Sequence, residues 1–400
     1  VIDAVNEQLR VLPVAQMIRY EQPAAISLDY ARRLAAALPG PLGHVRFGST
    51  GSQMTEAAVL LSRFLRKVRD ERERTGVIAF TNGYHGTGGL AGALTGERPM
   101  HALQSPLAPD VHHVRAWNLD ALTRMIDRLG PRSVTAVIVE PIMGTDVLAA
   151  PDGMLRRIRE LCDEYGIHLI ADEVTTGFGR TGVLSATVAA GVVPDMLVLG
   201  KGITAGYFPL AALVTTDAVF DEALSRPEYV FPHGCTADGH PVAMAAGLAV
   251  LDRLADGTLL DRVTVLGLRI QAELRRRADT LGAIHEVRGT GLMIGVELRA
   301  GGERLGAPAM AAVRRACKDA GLLVTTTNNT VVLMPPLVLS DAEAGELVGR
   351  LVRAITAALP AVTSSGDGGT GGEGPGPRDP AGPDPVPATA ARPVNETVHA

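Results

Sequence analysis

Four short apolar runs constrain this chain more than any other feature: residues 76–81, 133–140, 167–172 and 196–199. They are apolar nearly throughout rather than alternating, so both of their sides must be buried. Helical patterns separate or follow them, over 54–73, 153–165 and 241–254. Short buried strands interleaved with helices predict an α/β fold, a mostly parallel sheet covered on both faces. After Asp256 the pattern changes. An Arg-rich helix is expected over 259–281, leading to a smaller αβ unit that carries VRGTGLMIGVEL and VVLMPPLVL.

A chain of 400 residues is too long for one small core, and 46% hydrophobic residues suffice for a large one. The expected organisation is an N-terminal segment over 1–45, a large domain over 46–258, a small domain over 259–360 and a tail over 361–400. The tail is rich in Gly and Pro and almost free of large apolar residues, so disorder or a linker is expected there. Its Asn395-Glu396-Thr397 matches a glycosylation triplet, expected to be unused in a chain whose first twenty residues show no signal-peptide pattern. The net charge is −5, and no basic stretch marks a nucleic-acid or membrane surface. Cys162, Cys235 and Cys317 form no CxxC pair, which points to free thiols in a reducing cytoplasm and to no zinc site.

Ligands of open α/β sheets sit beyond the carboxyl ends of the strands. Glu140 ends the second run, Asp172 ends the third and Lys201 follows the fourth. One charged residue after a strand is ordinary loop decoration. Three at corresponding places mark a site. Upstream, Gly48-Ser49-Thr50-Gly51-Ser52-Gln53 leads into a helix; Thr50 and Gln53 have capping-box spacing. Small residues at a helix start let an anion reach free N–H groups, although a plain cap has the same look. Tyr84 follows the first run and can form one face of a flat-ring site, or simply pack; His85 by itself reads as structural.

The run ADEVTTGFGRTG, then PDMLVLGKGITAGYFPLAAL, then HGCTADGHPVAMAAGLAVL resembles the successive signature blocks of class III (ω-type) aminotransferases. TGSQMTEAAVLLSR, NGYHG and IVEPIMG upstream, with VRGTGLMIGVEL and PPLVLS downstream, fit the same family in the same order. The resemblance spans nearly all of residues 1–360 and leans toward the ω-amino acid:pyruvate branch. It implies the fold type I architecture of pyridoxal-phosphate enzymes, acting as a homodimer.

The cofactor it implies is pyridoxal 5′-phosphate, with Lys201 carrying it covalently and shuttling protons at the substrate carbon. Asp172 pairs with the protonated pyridine nitrogen. Val174 and Tyr84 pack on the two ring faces. Thr50, Gly51 and Ser52 form the phosphate cup, and Thr236 reaches the phosphate of the neighbouring subunit. Glu140 lies near the cofactor hydroxyl, and His85 and Thr175 complete the set; no metal is expected. The implied reaction is ping-pong transfer of an amino group from a terminal amine or ω-amino acid to a keto acid or aldehyde. An aminomutase or decarboxylase on the same fold, or a cofactor-binding relative of impaired activity, stay open.

The chain departs from the family pattern at four places. The usual SGxEANE is Thr50-Gly51-Ser52-Gln53-Met54-Thr55-Glu56, so a glutamine stands where the pattern has glutamate. Thr175 stands where glutamine is common. Relatives carry several tens of residues ahead of the position of Val1. Many also carry an arginine near the place of Thr325 that grips the carboxylate of a keto acid.

Overall fold

The computed structural model describes residues 1–15 and 22–363. The expected tail therefore lies outside the described residues from 364 onward, its glycosylation triplet included.

The strands in chain order are β1 (His44–Gly48), β2 (Gly76–Phe80), β3 (Val111–Val114), β4 (Val134–Val139), β5 (Ile142–Met143), β6 (Leu148–Ala149), β7 (His168–Glu173), β8 (Met196–Leu199) and β9 (Ala211–Thr215). Then come β10 (Ile284–Thr290), β11 (Met293–Ala300), β12 (Glu303–Arg304), β13 (Thr325–Thr327) and β14 (Thr330–Leu333). Seven of them form one sheet in the order β1-β9-β8-β7-β4-β2-β3. β9 alone runs against its neighbours, antiparallel to both β1 and β8; the other pairs are parallel. The four runs read from the sequence are the contiguous centre of this sheet.

Alternation along each strand feeds two cores. Val77, Ala79, Ala136, Ile138 and Val198 pack under the helix Gly51–Val68. Ile78, Phe80, Val137 and Leu169 turn the other way, onto the helices Leu119–Leu129 and Met154–Tyr165. Farther along that second face, Ala171, Leu197 and Leu199 meet the helix Pro241–Leu254. Each fully buried aliphatic side chain contributes on the order of 1.5–3 kcal/mol. The helix expected over 54–73 stops at Val68, because Asp70 takes a left-handed φ of +60° and Glu71 folds back onto Arg66 and Arg74.

The second sheet, β10-β11-β14-β13 with β12 on β11, is antiparallel. It is covered by the helices Thr258–Leu281, Ala307–Asp319 and Asp341–Thr363. The helix Ala25–Ala37 near the chain start lies on the large sheet's side: its Tyr30 stacks on Phe47 at 5.1 Å and packs with Met244 and Val250. The three cysteines are free, Cys162 and Cys317 buried and Cys235 exposed. Among the described residues, no helix is long and apolar enough to cross a membrane.

The two sheets meet along a seam of bare backbone. Leu292 N donates to Arg180 O at 3.0 Å. Arg180 Nη1 donates to Leu292 O at 3.0 Å and to Pro335 O at 2.6 Å. Burial lowers the Arg180 pKa to about 10, yet the two carbonyls still hold the cation. A Cβ on Gly291, which has φ +55°, would lie 2.6 Å from Thr181 C. One on Gly267, in the helix Thr258–Leu281, would lie 2.0 Å from Gly291 O.

That seam yields a paired prediction. Gly267→Ala forces backbone apart and should destabilise by about 1–3 kcal/mol. Gly345→Ala, in a helix where nothing lies within 4 Å, should stabilise by about 0.5–1 kcal/mol. Thermal and urea midpoints measure both; a Gly267→Ala protein as stable as wild type would show that the helix Thr258–Leu281 does not press on the Gly291 turn that carries the seam.

Candidate active site

Strands β8, β7, β4 and β2 are neighbours and parallel, so their carboxyl ends line one edge of the sheet. Lys201, Asp172, Glu140 and the Tyr84-His85 pair all emerge there. A cavity of about 410 Å³ opens over this edge, lined by Ser49, Thr50, Gly51, Ser52, Tyr84, His85, Asp172, Val174, Thr175 and Lys201. The size suits a small-molecule site, which typically measures roughly 300–1,000 Å³. A larger apolar groove of about 950 Å³ runs beside β1, but it carries none of Lys201, Asp172 and His85.

Asp172 is buried within β7 and faces the cavity. Its Oδ1 accepts from Val174 N at 3.1 Å, and its Oδ2 lies 2.8 Å from His85 Nδ1. A carboxylate only accepts, so Nδ1 carries the hydrogen. Burial works against charge on His85, but the hydrogen bond and charge of Asp172, with the charge of Glu140, more than offset it, and the His85 pKa is raised. His85 therefore braces Asp172 through this hydrogen bond.

Lys201 follows Gly200 at the end of β8, in a one-turn 3-10 helix, with a left-handed φ of +37°. That conformation costs a non-glycine residue on the order of 1–3 kcal/mol and clusters at functional sites. Its Nζ donates to Thr175 Oγ1 at 2.8 Å. The hydroxyl thus holds the amine on the cavity floor beside Val174.

The helix Gly51–Val68 points its N-terminus at the same cavity. Thr50 caps it, Oγ1 accepting from Gln53 N at 3.2 Å. Gln53 Oε1 accepts from Ser49 N at 2.8 Å, one residue earlier than in an ordinary capping box. The N–H groups of Gly51 and Ser52 have no acceptor among the described residues. Packing enforces small residues here. A Cβ on Gly51 would sit 2.9 Å from Val174 Cγ2, and one on Gly86 would sit 2.3 Å from Ser52 Oγ. Free N–H groups at a helix start suit a phosphate. A braced carboxylate suits a protonated ring nitrogen, and an amine suits a carbonyl carbon. This donor and acceptor set fits pyridoxal 5′-phosphate.

Two of the residues singled out from the sequence do not line the cavity. Glu140 is buried behind Tyr84, Oε1 accepting from Tyr84 N at 2.8 Å and Oε2 from Gly144 N at 3.0 Å. With both oxygens engaged, it ties the Tyr84 loop to the turn after β4. Thr236 is exposed and outside the cavity of its own chain.

One supporting residue escaped the sequence reading. Glu173 alternates with Asp172 to the opposite side of β7. It is fully buried and accepts from Thr176 Oγ1 (2.9 Å), Ser185 Oγ (2.5 Å), Ala186 N (2.7 Å) and Thr187 N (2.8 Å). It fastens the glycine loop 177–182 that continues into the inter-sheet seam. Its signal was present: a second carboxylate at a strand end, followed by hydroxyl residues.

The family model for class III aminotransferases matches residues 1–355. A probable aminotransferase of Mycobacterium tuberculosis is 35% identical over 314 residues, 74% of this chain and 66% of that protein. An omega-aminotransferase of Caulobacter vibrioides is 31% identical over 378 residues, 88% of this chain and 84% of that protein. Among solved structures, an (S)-enantioselective omega-transaminase from Thermomicrobium roseum superposes with a TM-score of 0.85 at 31% identity, covering 90% of this chain and 84% of that one. A transaminase from the marine bacterium Virgibacillus gives a TM-score of 0.87 at 26% identity, over 90% and 85%.

Glu140 supplies a pH test. Burial pushes its pKa up to about 7, with Asp172 adding to the rise while His85 and the two N–H donors pull the other way. A carboxyl raised on folding supplies stability in full below its unfolded value, about 4.3, and loses it as pH climbs through the folded value. Glu140→Gln stays neutral throughout. Between pH 5 and 8 wild type should lose stability relative to the variant, on the order of 1–3 kcal/mol. Parallel stability curves for the two proteins would show that Glu140 is ionised across the range.

Proposed function

We propose that the chain, which belongs to the class III aminotransferases, with pyridoxal 5′-phosphate as its cofactor and transamination as its reaction, acts through Lys201, Asp172 and the Gly51–Ser52 cup. The donor is a terminal amine or ω-amino acid, and the acceptor a keto acid or aldehyde. The observation that carries this reading is the convergence on one cavity of a tethered amine, a braced carboxylate and free helix N–H groups. Relatives named beta-alanine–pyruvate aminotransferase and omega-amino acid–pyruvate aminotransferase support the substrate class.

When bound, the cofactor supplies an electron sink that stabilises negative charge at the substrate carbon. The chain's residues supply the rest. Thr50, Gly51 and Ser52 anchor the phosphate. Asp172, held by His85 and Val174 N, keeps a proton on the ring nitrogen. Val174 and Tyr84 bound the ring faces. Lys201 Nζ, steered by Thr175, would hold the cofactor covalently and would move the proton at the substrate carbon. Glu140 acts through Tyr84, whose backbone it fixes. The reading includes a cytoplasmic homodimer in which Thr236, exposed on its own chain, meets the partner's phosphate.

The β13–β14 hairpin bears on the acceptor. Thr327 Oγ1 donates to Thr145 O, and Asn328 Nδ2 to Asp146 Oδ2 at 2.6 Å, so its tip leans on the turn next to Glu140. Arg288, in β10 on the far side of β11, is engaged by Asp146 O, Glu286 and Glu297. No arginine lines the cavity among the described residues.

Three tests follow from these roles. Lys201→Ala should abolish the borohydride-reducible link to cofactor and nearly all turnover; normal turnover would refute the assignment. Asp172→Ala should slow an amine half-reaction at least about 100-fold, roughly 2.7 kcal/mol of barrier, while weakening cofactor binding less. Thr325→Arg should lower the KM for pyruvate about tenfold and leave that for a neutral aldehyde unchanged. A pyruvate KM unmoved by the added arginine would mean that the carboxylate is held elsewhere.

A further inference from the structure

Asp238 is 2% exposed, and no cation contacts its carboxylate among the described residues. Its oxygens are divided between two elements. Oδ1 accepts from Gln53 Nε2 at 2.8 Å, and Oδ2 accepts from Cys235 N at 2.9 Å. Asp238 N donates back to Cys235 O at 3.0 Å, which closes the turn 235–238 and leaves Thr236 and Ala237 exposed at its corner. Arg46 secures the same loop by donating to His233 O.

Gln53 is the other half of the link. Its Oε1 accepts from Ser49 N at 2.8 Å while its Nε2 donates to Asp238, so it spans from the start of the cup to the turn. An amide does both, accepting at one end and donating at the other, where an ionised carboxylate only accepts. Glutamate, the residue in the family pattern at this place, would set a second carboxylate against Asp238 Oδ1. Gln53 and Asp238 are therefore a matched pair.

We propose that Asp238, acting through Gln53, is a positioning residue for the cofactor phosphate. It fixes the Gly51–Ser52 N–H groups and the Thr236 turn as one rigid unit, so that a chain which orders its own cup also orders the turn. The proposal rests on the reading of Gly51 and Ser52 as the phosphate cup.

The test compares pyridoxamine 5′-phosphate with pyridoxamine, which lacks the phosphate, by equilibrium dialysis against the full chain. Gln53→Glu should weaken the phosphorylated ligand about tenfold or more, as expected for a lost hydrogen bond to a charged group, and change pyridoxamine less than about twofold. Asp238→Asn, one atom different, should do the same by setting one donor against another. The double change Gln53→Glu with Asp238→Asn exchanges donor and acceptor and restores all three bonds; its affinity for pyridoxamine 5′-phosphate should return to within about threefold of wild type. Equal losses for both ligands, unchanged affinity in either single variant, or a double variant as weak as the singles would overturn the proposal. Wild type binding both ligands alike would overturn the phosphate-cup reading, and the strut with it.

Discussion

Parallel pairing of β7 with β8 sets Asp172 opposite Val198 and Glu173 opposite Leu199, two residues short of Lys201. β4 lies on the other side of β7, with Val139 opposite Ala171 and Glu140 next in sequence. The site depends on this register. Because side chains alternate along a strand, a slip of one residue would turn Asp172 into the core and Glu173 into the cavity. The register is held by burial on both faces. Every residue of β4, β7 and β8 is buried, and a slipped ladder would set the polar ends of the strands against apolar helices.

The centre of the sheet was legible in the sequence for the same reason. Strands buried on both sides read as continuous apolar runs, and β2, β4, β7 and β8 were anticipated to within a residue or two. The edges were not. β1 carries His44 and Arg46, and β3 carries His112 and His113, so neither presents an apolar run. β9 is apolar, but it follows the irregular stretch after Lys201, and the helix after it is short, Asp217–Leu224. The antiparallel direction of β9 could not be read from composition at all.

The site divides similarly. The residues proposed to meet the ligand, Lys201 and Asp172, were visible because charged groups at strand ends are conspicuous. Residues that act by holding others were hidden. His85 looked structural, and it is the partner that holds Asp172 Oδ2. Glu140 was expected near the cofactor hydroxyl, and both its oxygens are engaged by backbone N–H groups. Asp238 offered no sequence signal, because its value depends on Gln53, 185 residues away. Support of this kind is a property of folded contacts between distant segments, and one-dimensional pattern carries little of it.

The seam between the sheets limits how the molecule can deform. Sliding of one layer over another requires interdigitated side chains that can exchange neighbours in small steps. At Gly291 the turn of the small sheet lies directly on the backbone of residues 180–182, and the Arg180 guanidinium pins two carbonyls of the small unit, so little is free to exchange. Shear is therefore blocked at this joint. Rotation about it remains, since Gly179, Gly182 and Gly291 all carry positive φ and can redistribute torsion without a Cβ penalty. Movement of the small sheet relative to the large one would take the form of a hinge, with its axis through the glycine loop 177–182.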